Sequence, residues 1–184
     1  MAIDDVGGSP PVEATPATTT TNTRAHWLVF FGLAVLVLVV DQLTKAWLVA
    51  NLSPGEIMQV IGDYIRLVFS QNSGALFGLF RDNAVLFGLV SIGVIGLIVF
   101  YHGRVGRSLY LSIALGLLLG GALGNMTDRL RLGYVVDFVD IGIGTFRWYT
   151  FNVADAAIST SIVMLIGAAL IPSLVGLGER RSDG

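Results

Sequence analysis

The chain has 184 residues, of which 54% are hydrophobic and only 13% charged, and its mean hydropathy is +0.76. Soluble domains carry roughly 25% charge, so this composition excludes a soluble globule and points to an integral membrane protein. The net charge of −2 offers no basic face, so no nucleic-acid partner is expected, and the absence of cysteine removes disulfides, thiol nucleophiles and thiolate zinc sites.

The titratable inventory is equally narrow. There are two histidines, His26 and His102, and one lysine, Lys45, with no H-E-x-x-H or P-loop motif. No metal or cofactor is expected, and acid–base chemistry would fall mainly on carboxylates. Glycine is abundant, at 23 residues, which suits close helix packing in lipid.

Residues 1–25 hold three of the five prolines and a threonine run. They read as a disordered cytoplasmic tail, without the basic-then-apolar order of a secretory signal. Residues 26–178 form the membrane domain and 179–184 a short C-terminal cytoplasmic tail. Four apolar segments lie in that domain. The first runs from Trp27 to Val40 and continues through DQLTKAWLVA. The second spans Asn83 to Tyr101, the third Ser108 to Thr127 and the fourth Ala156 to Gly178. About 20 residues cross ~30 Å of hydrocarbon, so the predicted fold is an all-α membrane protein with four transmembrane helices and both termini on one side. The short loop HGRVGR (102–107) and Arg180-Arg181 carry positive charge on that side, which places it in the cytoplasm.

The opposite face is built from residues 49–82 and 128–155. Within them 61–70 and 141–151 alternate and are rich in β-branched and aromatic residues, so both are predicted strands. Trp47, Tyr64, Trp148 and Tyr149 suit an interfacial aromatic belt.

Charges bordering transmembrane helices are costly and usually functional, and here distant parts of the chain bring them to the same edge. Asp41 and Lys45 are four apart on one helix face and can pair. Asn125, Asp128 and Arg129 share a face near the end of the third segment. Asp137 and Asp140 follow in YVVDFVDI, and Asn152 and Asp155 lie in FNVADAA. Each has a plain structural explanation. Asp41–Lys45 suits a snorkelling ion pair, Asp128–Arg129 a helix terminus tied to the next loop, and Asp155 a first-turn acid behind an Asn152 cap. Asp137 resists such an explanation because it interrupts an apolar run, whereas Asp140 reads as the more solvated of the two. Two carboxylates in a poorly hydrated site cannot both ionise readily, which yields a general acid and a general base for attack of water on an amide. Asp137, among valines and phenylalanine, is expected to hold the proton, and Asp155, at a helix start, to be the carboxylate.

Four motifs, DQLTK (41–45), NSGALFG (72–78), GALGNMTDRLRLGYVVDF (121–138) and FNVAD (151–155), occur in this order on a four-helix profile. Together they resemble those of lipoprotein signal peptidase, or signal peptidase II, over about residues 27–176. The resemblance implies a membrane aspartyl endopeptidase with Asp137 and Asp155 as its catalytic pair. It assigns Asp41, Lys45, Asn72, Gly74, Asn125, Asp128, Arg129, Asn152 and Ala154 to the surrounding motifs. It further implies a small extracytoplasmic β-cradle, an inner-membrane location, and a substrate that is a diacylglyceryl prolipoprotein cut just before its lipidated cysteine. Asn72, Arg129 and Asn152 would hold substrate carbonyls or the oxyanion. Leu76 and Ala156 stand where many members carry Ala and Ser. Membrane lipid is an expected partner, and a monomer is the expected state.

Two rival readings fit the same charges less well. A small proton- or ion-coupled transporter or channel would use the same charges but place them near the bilayer midplane, often with internal repeats. A Ser–Lys peptidase would pair Lys45 with a serine such as Ser73, but Asp41 beside it favours the charged lysine, a poor base.

Overall fold

The computed structural model describes residues 23–73, 84–105 and 108–175. Among them are four helices, α1 (Thr23–Asn51), α2 (Ala84–Val105), α3 (Leu109–Leu132) and α4 (Val153–Leu170), and four strands, β1 (Ile57–Ile61), β2 (Ile65–Asn72), β3 (Val135–Ile143) and β4 (Phe146–Arg147). The strands form one antiparallel sheet in the order β1-β2-β3-β4. The sheet follows the C-terminal ends of α1 and α3 and precedes α4, so it sits at one end of the bundle.

Helices α1, α3 and α4 are long and apolar enough to cross a membrane, and the apolar run Val90–Val105 of α2 is shorter. Their outer faces carry large apolar side chains, with Leu28 74%, Leu97 65% and Val163 69% exposed. That is the reverse of a soluble bundle and fits a lipid surround.

Glycine sets how closely the helices approach. A Cβ on Gly116 would lie 2.8 Å from the Phe30 carbonyl oxygen, and one on Gly120 2.7 Å from that of Ala34. Both face α1 at i,i+4 spacing. Gly121, one position on, turns to α4, where a Cβ would lie 2.5 Å from the Ala154 carbonyl oxygen. Thus α3 is the central helix, with α1 and α4 against its small-residue stripes. Phe30, Ala34, Ile98, Leu115 and Leu119 fill the core between α1, α2 and α3. A second core, Leu48, Leu52, Val136 and Phe138, fastens β3 to the end of α1.

At the end away from the sheet, His102 is fully buried between Trp27 and Phe30, and its Nε2 lies 3.0 Å from Ser112 Oγ. This ties α2 to α1 and α3. The Tyr110 hydroxyl donates to the Met164 carbonyl oxygen at 2.9 Å and ties α3 to α4.

The element boundaries depart from the sequence expectations in instructive ways. Helix α1 begins at Thr23, three residues inside the segment read as tail; residues 1–22 lie outside the described residues. The third helix does not stop at Asp128–Arg129 but continues to Leu132. It ends on Gly133, whose φ of +79° is the left-handed conformation that suits glycine. Helix α4 starts three residues earlier than expected and stops at Leu170, before Pro172, which lacks the N–H a helix interior needs. The single strand expected at 61–70 is the second half of a hairpin that turns through Gly62, and the strand expected at 141–151 straddles the β3–β4 turn at Gly144.

Candidate active site

Asp137 owes its position to the alternation of β3. Val136 and Phe138, 1% and 7% exposed, point into the core under the sheet, so period-two alternation sends Asp137 to the other face. Ser70 of β2 lies opposite it in register and Asn72 two residues along, within reach on the same face. The Asn72 Nδ2 donates to Asp137 Oδ2 at 3.0 Å.

Asp155 owes its position to a helix cap. Asn152 Oδ1 accepts from the Asp155 backbone N–H at 2.8 Å, while Asp155 Oδ2 accepts from the Asn152 N–H at 3.3 Å. This reciprocal capping box satisfies donors that a helix N-terminus leaves open. Phe151 is bridged to Val139 through two backbone hydrogen bonds, which lay the start of α4 alongside β3.

The fully buried Asn152 then joins the two carriers. Its Nδ2 donates to Asp137 Oδ1 at 2.7 Å, and also lies 3.2 Å from Asn125 Oδ1 and 3.3 Å from the Val136 carbonyl oxygen. Asn125 in turn donates to Asp155 Oδ1 at 2.8 Å. Asp137 and Asp155, from a strand and a helix 18 positions apart in sequence, therefore share one amide network. The Arg129 Nη1 donates to the Asn125 carbonyl oxygen at 3.3 Å, and the guanidinium lies within electrostatic reach of Asp155, Asp137 and Asp128. A cavity of about 360 Å³ opens beside Asp137, lined by Ser70, Arg147, Trp148, Tyr149 and Thr150.

Burial pushes the Asp137 carboxyl up to about 6, assisted by the neighbouring Asp155 charge and opposed by the hydrogen bonds from Asn72 and Asn152. The apolar setting read from YVVDFV thus has the expected sign. Replacing Asn72 by Ala removes a donor that favours the carboxylate, so the Asp137 carboxyl moves higher still. With Asp137 as the general acid proposed below, the alkaline limb of a kcat/KM profile in the free enzyme, expected near pH 6 for the wild type, is expected to shift upward in Asn72→Ala. A pH series of initial rates checks this; an unmoved limb would separate Asn72 from the titrating group.

Asp41, Lys45, Asn125 and Asp128 are buried together next to this pair. The Lys45 ammonium lies 2.8 Å from both Asp41 Oδ2 and Asp128 Oδ2, with side-chain exposures of 4% or less. The pair is therefore enclosed, not snorkelling. Asp128 does tie the following segment, accepting the Val136 N–H at 3.1 Å, but from inside the helix and not at its end. Ala154 is fully buried, and its N–H donates to Asp41 Oδ1 at 2.9 Å. Gly74 and Leu76 lie outside the described residues.

Asp140 corrects an expectation. It is 5% exposed, nearly as buried as Asp137, because Arg66 and Arg147 enclose it at 2.6 and 2.9 Å. Desolvation works against its charge, yet the hydrogen bonds from Arg147 and Arg66 prevail and hold its carboxyl below the ordinary range. Arg66 and Arg147 went unnoticed in the sequence, as did Gln42, whose Nε2 bridges Asp41 at 3.2 Å and Asp128 at 2.9 Å. A glutamine inside the DQLTK motif was the only available signal. Trp47, Tyr64, Trp148 and Tyr149 are exposed, as an interfacial belt would require.

Fold and site together define a multi-pass membrane protein with an amide-linked carboxylate pair, Asp137 buried and Asp155 partly buried, at one end of its helix bundle. A bacterial membrane enzyme solved by the in meso method at 2.3 Å superposes with a TM-score of 0.75 at 27% identity, covering 88% of this chain and 94% of that one. A second such enzyme, at 1.9 Å, gives a TM-score of 0.71 at 29% identity, covering 80% and 94%. The chain belongs to the signal peptidase (SPase) II family, which it matches over residues 33–171, and is therefore a protease. It is 39% identical over 186 residues to the lipoprotein signal peptidase of Leifsonia xyli, covering 96% of this chain and 82% of the relative. The lipoprotein signal peptidase of Moorella thermoacetica is 41% identical over 145 residues, covering 78% and 94%.

Proposed function

We propose that this chain removes signal peptides from lipoprotein precursors by aspartyl catalysis, with Asp137 and Asp155 as the catalytic pair. The observation that carries the reading is Asn152. One buried side chain caps the residue bearing one carboxylate and hydrogen-bonds the other, in a site that pushes Asp137 toward the protonated state. In the first step Asp155 takes a proton from water as the oxygen attacks the scissile carbonyl carbon, and Asp137 gives its proton to the carbonyl oxygen. In the second, Asp155 returns a proton to the departing amine nitrogen, the C–N bond breaks, and the diol proton restores Asp137. Arg129 stands near both carboxylates, where it would steady the charge that builds in the tetrahedral state.

The substrate is a precursor whose cysteine carries diacylglycerol, cut immediately before that cysteine. Its acyl chains would lie in the outer leaflet while the signal helix packs beside the bundle. In this reading α2 completes four crossings, the termini face the cytoplasm, and the sheet and carboxylate pair face outward. The protein in lipid nanodiscs is expected to convert a synthetic diacylglyceryl precursor to a product beginning at the modified cysteine, read by mass spectrometry. No cleavage of that precursor, or cleavage elsewhere, would overturn the assignment. Topology is open to a separate check, since the native chain has no cysteine. In intact cells an impermeant thiol reagent is expected to label Glu56→Cys but not Gly103→Cys, and the opposite pattern would invert the orientation.

A further inference from the structure

We infer that Lys45 is a positioning residue for the reaction: its single ammonium, shared by Asp41 and Asp128, sets the two backbones that carry the catalytic carboxylates. The inference rests on the dyad reading above and deepens it.

The connections are specific. The Lys45 Nζ contacts Asp41 Oδ2 and Asp128 Oδ2 at 2.8 Å each and donates to Asn125 Oδ1 at 3.2 Å. Three acceptors meet the three donors of an ammonium. Asp41 uses its other oxygen to hold the Ala154 N–H, one residue before Asp155. Asp128 Oδ2 also holds the Val136 N–H, one residue before Asp137. Each carboxylate flanking the lysine therefore grips the chain immediately upstream of one member of the pair. The third contact, through Asn125, continues to Asp155 Oδ1. Gln42 closes the cluster by donating to both flanking carboxylates and to the Gly124 carbonyl oxygen.

Stability alone is a poor reason for such a cluster. Taking three charges out of water costs several kcal/mol per ion, and apolar replacements of similar volume are often as stable or more so. What apolar packing does not supply is a directed hold on two particular N–H groups. The lysine also acts at a distance. Its charge favours the Asp137 carboxylate, against burial and the Asp155 charge from α4. The other groups facing Asp137 are Arg129 from α3, Arg147 across the cavity from β4, and the amides of Asn72 and Asn152.

The test is the pair Lys45→Met/Asp128→Asn, because Lys45→Met alone leaves two facing carboxylates uncompensated. The double change replaces one ammonium and two carboxylates by one carboxylate, so the net charge of the cluster is unchanged. The double variant is expected to fold, to cleave a diacylglyceryl precursor with kcat lower by on the order of 100-fold, and to keep KM within about twofold. The alkaline limb of its kcat/KM profile is expected to move upward. Wild-type kcat, failure to fold, or a reduced kcat with an unmoved limb each overturn the proposal, the last two in favour of a purely structural lysine. Asp137→Asn is assayed in parallel. Activity retained there overturns the dyad itself, whereas activity lost there with a normal double variant overturns only the role of Lys45.

Discussion

Asp137→Asn and Asp155→Asn are each expected to lower kcat by roughly 1,000-fold or more, because in the proposed mechanism each removes one partner in proton transfer. Both proteins are expected to remain folded and inserted, since an asparagine amide keeps the side-chain volume. Asp137→Asn carries a second signature. A carboxyl raised from 3.8 to about 6 by folding binds its proton more tightly in the native state than in the unfolded one. The native state is therefore favoured at low pH, and that advantage is lost as pH rises from about 4 through 6, by about 3 kcal/mol in all. Asparagine does not ionise, so its stability relative to wild type is expected to grow over the same interval. Unfolding curves for the two proteins at pH 4 and pH 7 check this, and a constant difference would contradict the burial argument. Asp140→Asn serves as contrast. It touches Arg66 and Arg147, not the carboxylate pair, so it is expected to loosen the sheet while leaving far more activity than either dyad change.

Gly120→Leu is expected to destabilise the bundle by about 3 kcal/mol or more. A Cβ at that position would meet both the Ala34 carbonyl oxygen and Val37 Cβ at 2.7 Å. Backbone cannot move aside as a flexible side chain can, so α1 and α3 would have to separate along their main contact, and overpacking by even small groups costs 1–3 kcal/mol. Gly32→Leu on α1 is the matched control, since its Cβ would meet nothing within 4 Å, and it is expected to change stability by no more than about 0.5 kcal/mol. Denaturation of both variants in the same detergent checks the difference. Equal stabilities would mean that the α1–α3 approach is not limited by Gly120.

Much of the site was legible because its chemistry is local. The four-residue spacing of Asp41 and Lys45 predicts their ion pair, and Asn152 three residues before Asp155 predicts the cap. The strand that carries Asp137 was harder to see. The run YVVDFVDI is apolar on both faces, because Val136 and Phe138 pack beneath the sheet while Val135 is also buried, so it lacks the clean alternation of a half-exposed strand. The strand expected at 61–70 covers most of β2 and leaves out all but the last residue of β1 (Ile57–Ile61), whose antiparallel pairing through the turn at Gly62 only the tertiary structure shows.

The sequence by itself determined the membrane class, the apolar segments, the order of the motifs and the acidic character of the site. All of these follow from composition and from patterns read along the chain, without knowing which segments meet in space. Only the tertiary structure decided which charges are partners across the chain. Lys45 meets Asp128 83 positions away, Asp41 holds an N–H 113 positions away, and Asp140 is enclosed by Arg66 from another strand. The reason is physical. A charge pattern states which groups need partners once water is excluded, but which partner each receives depends on how closely the helices approach, and the glycines of α3 set that distance.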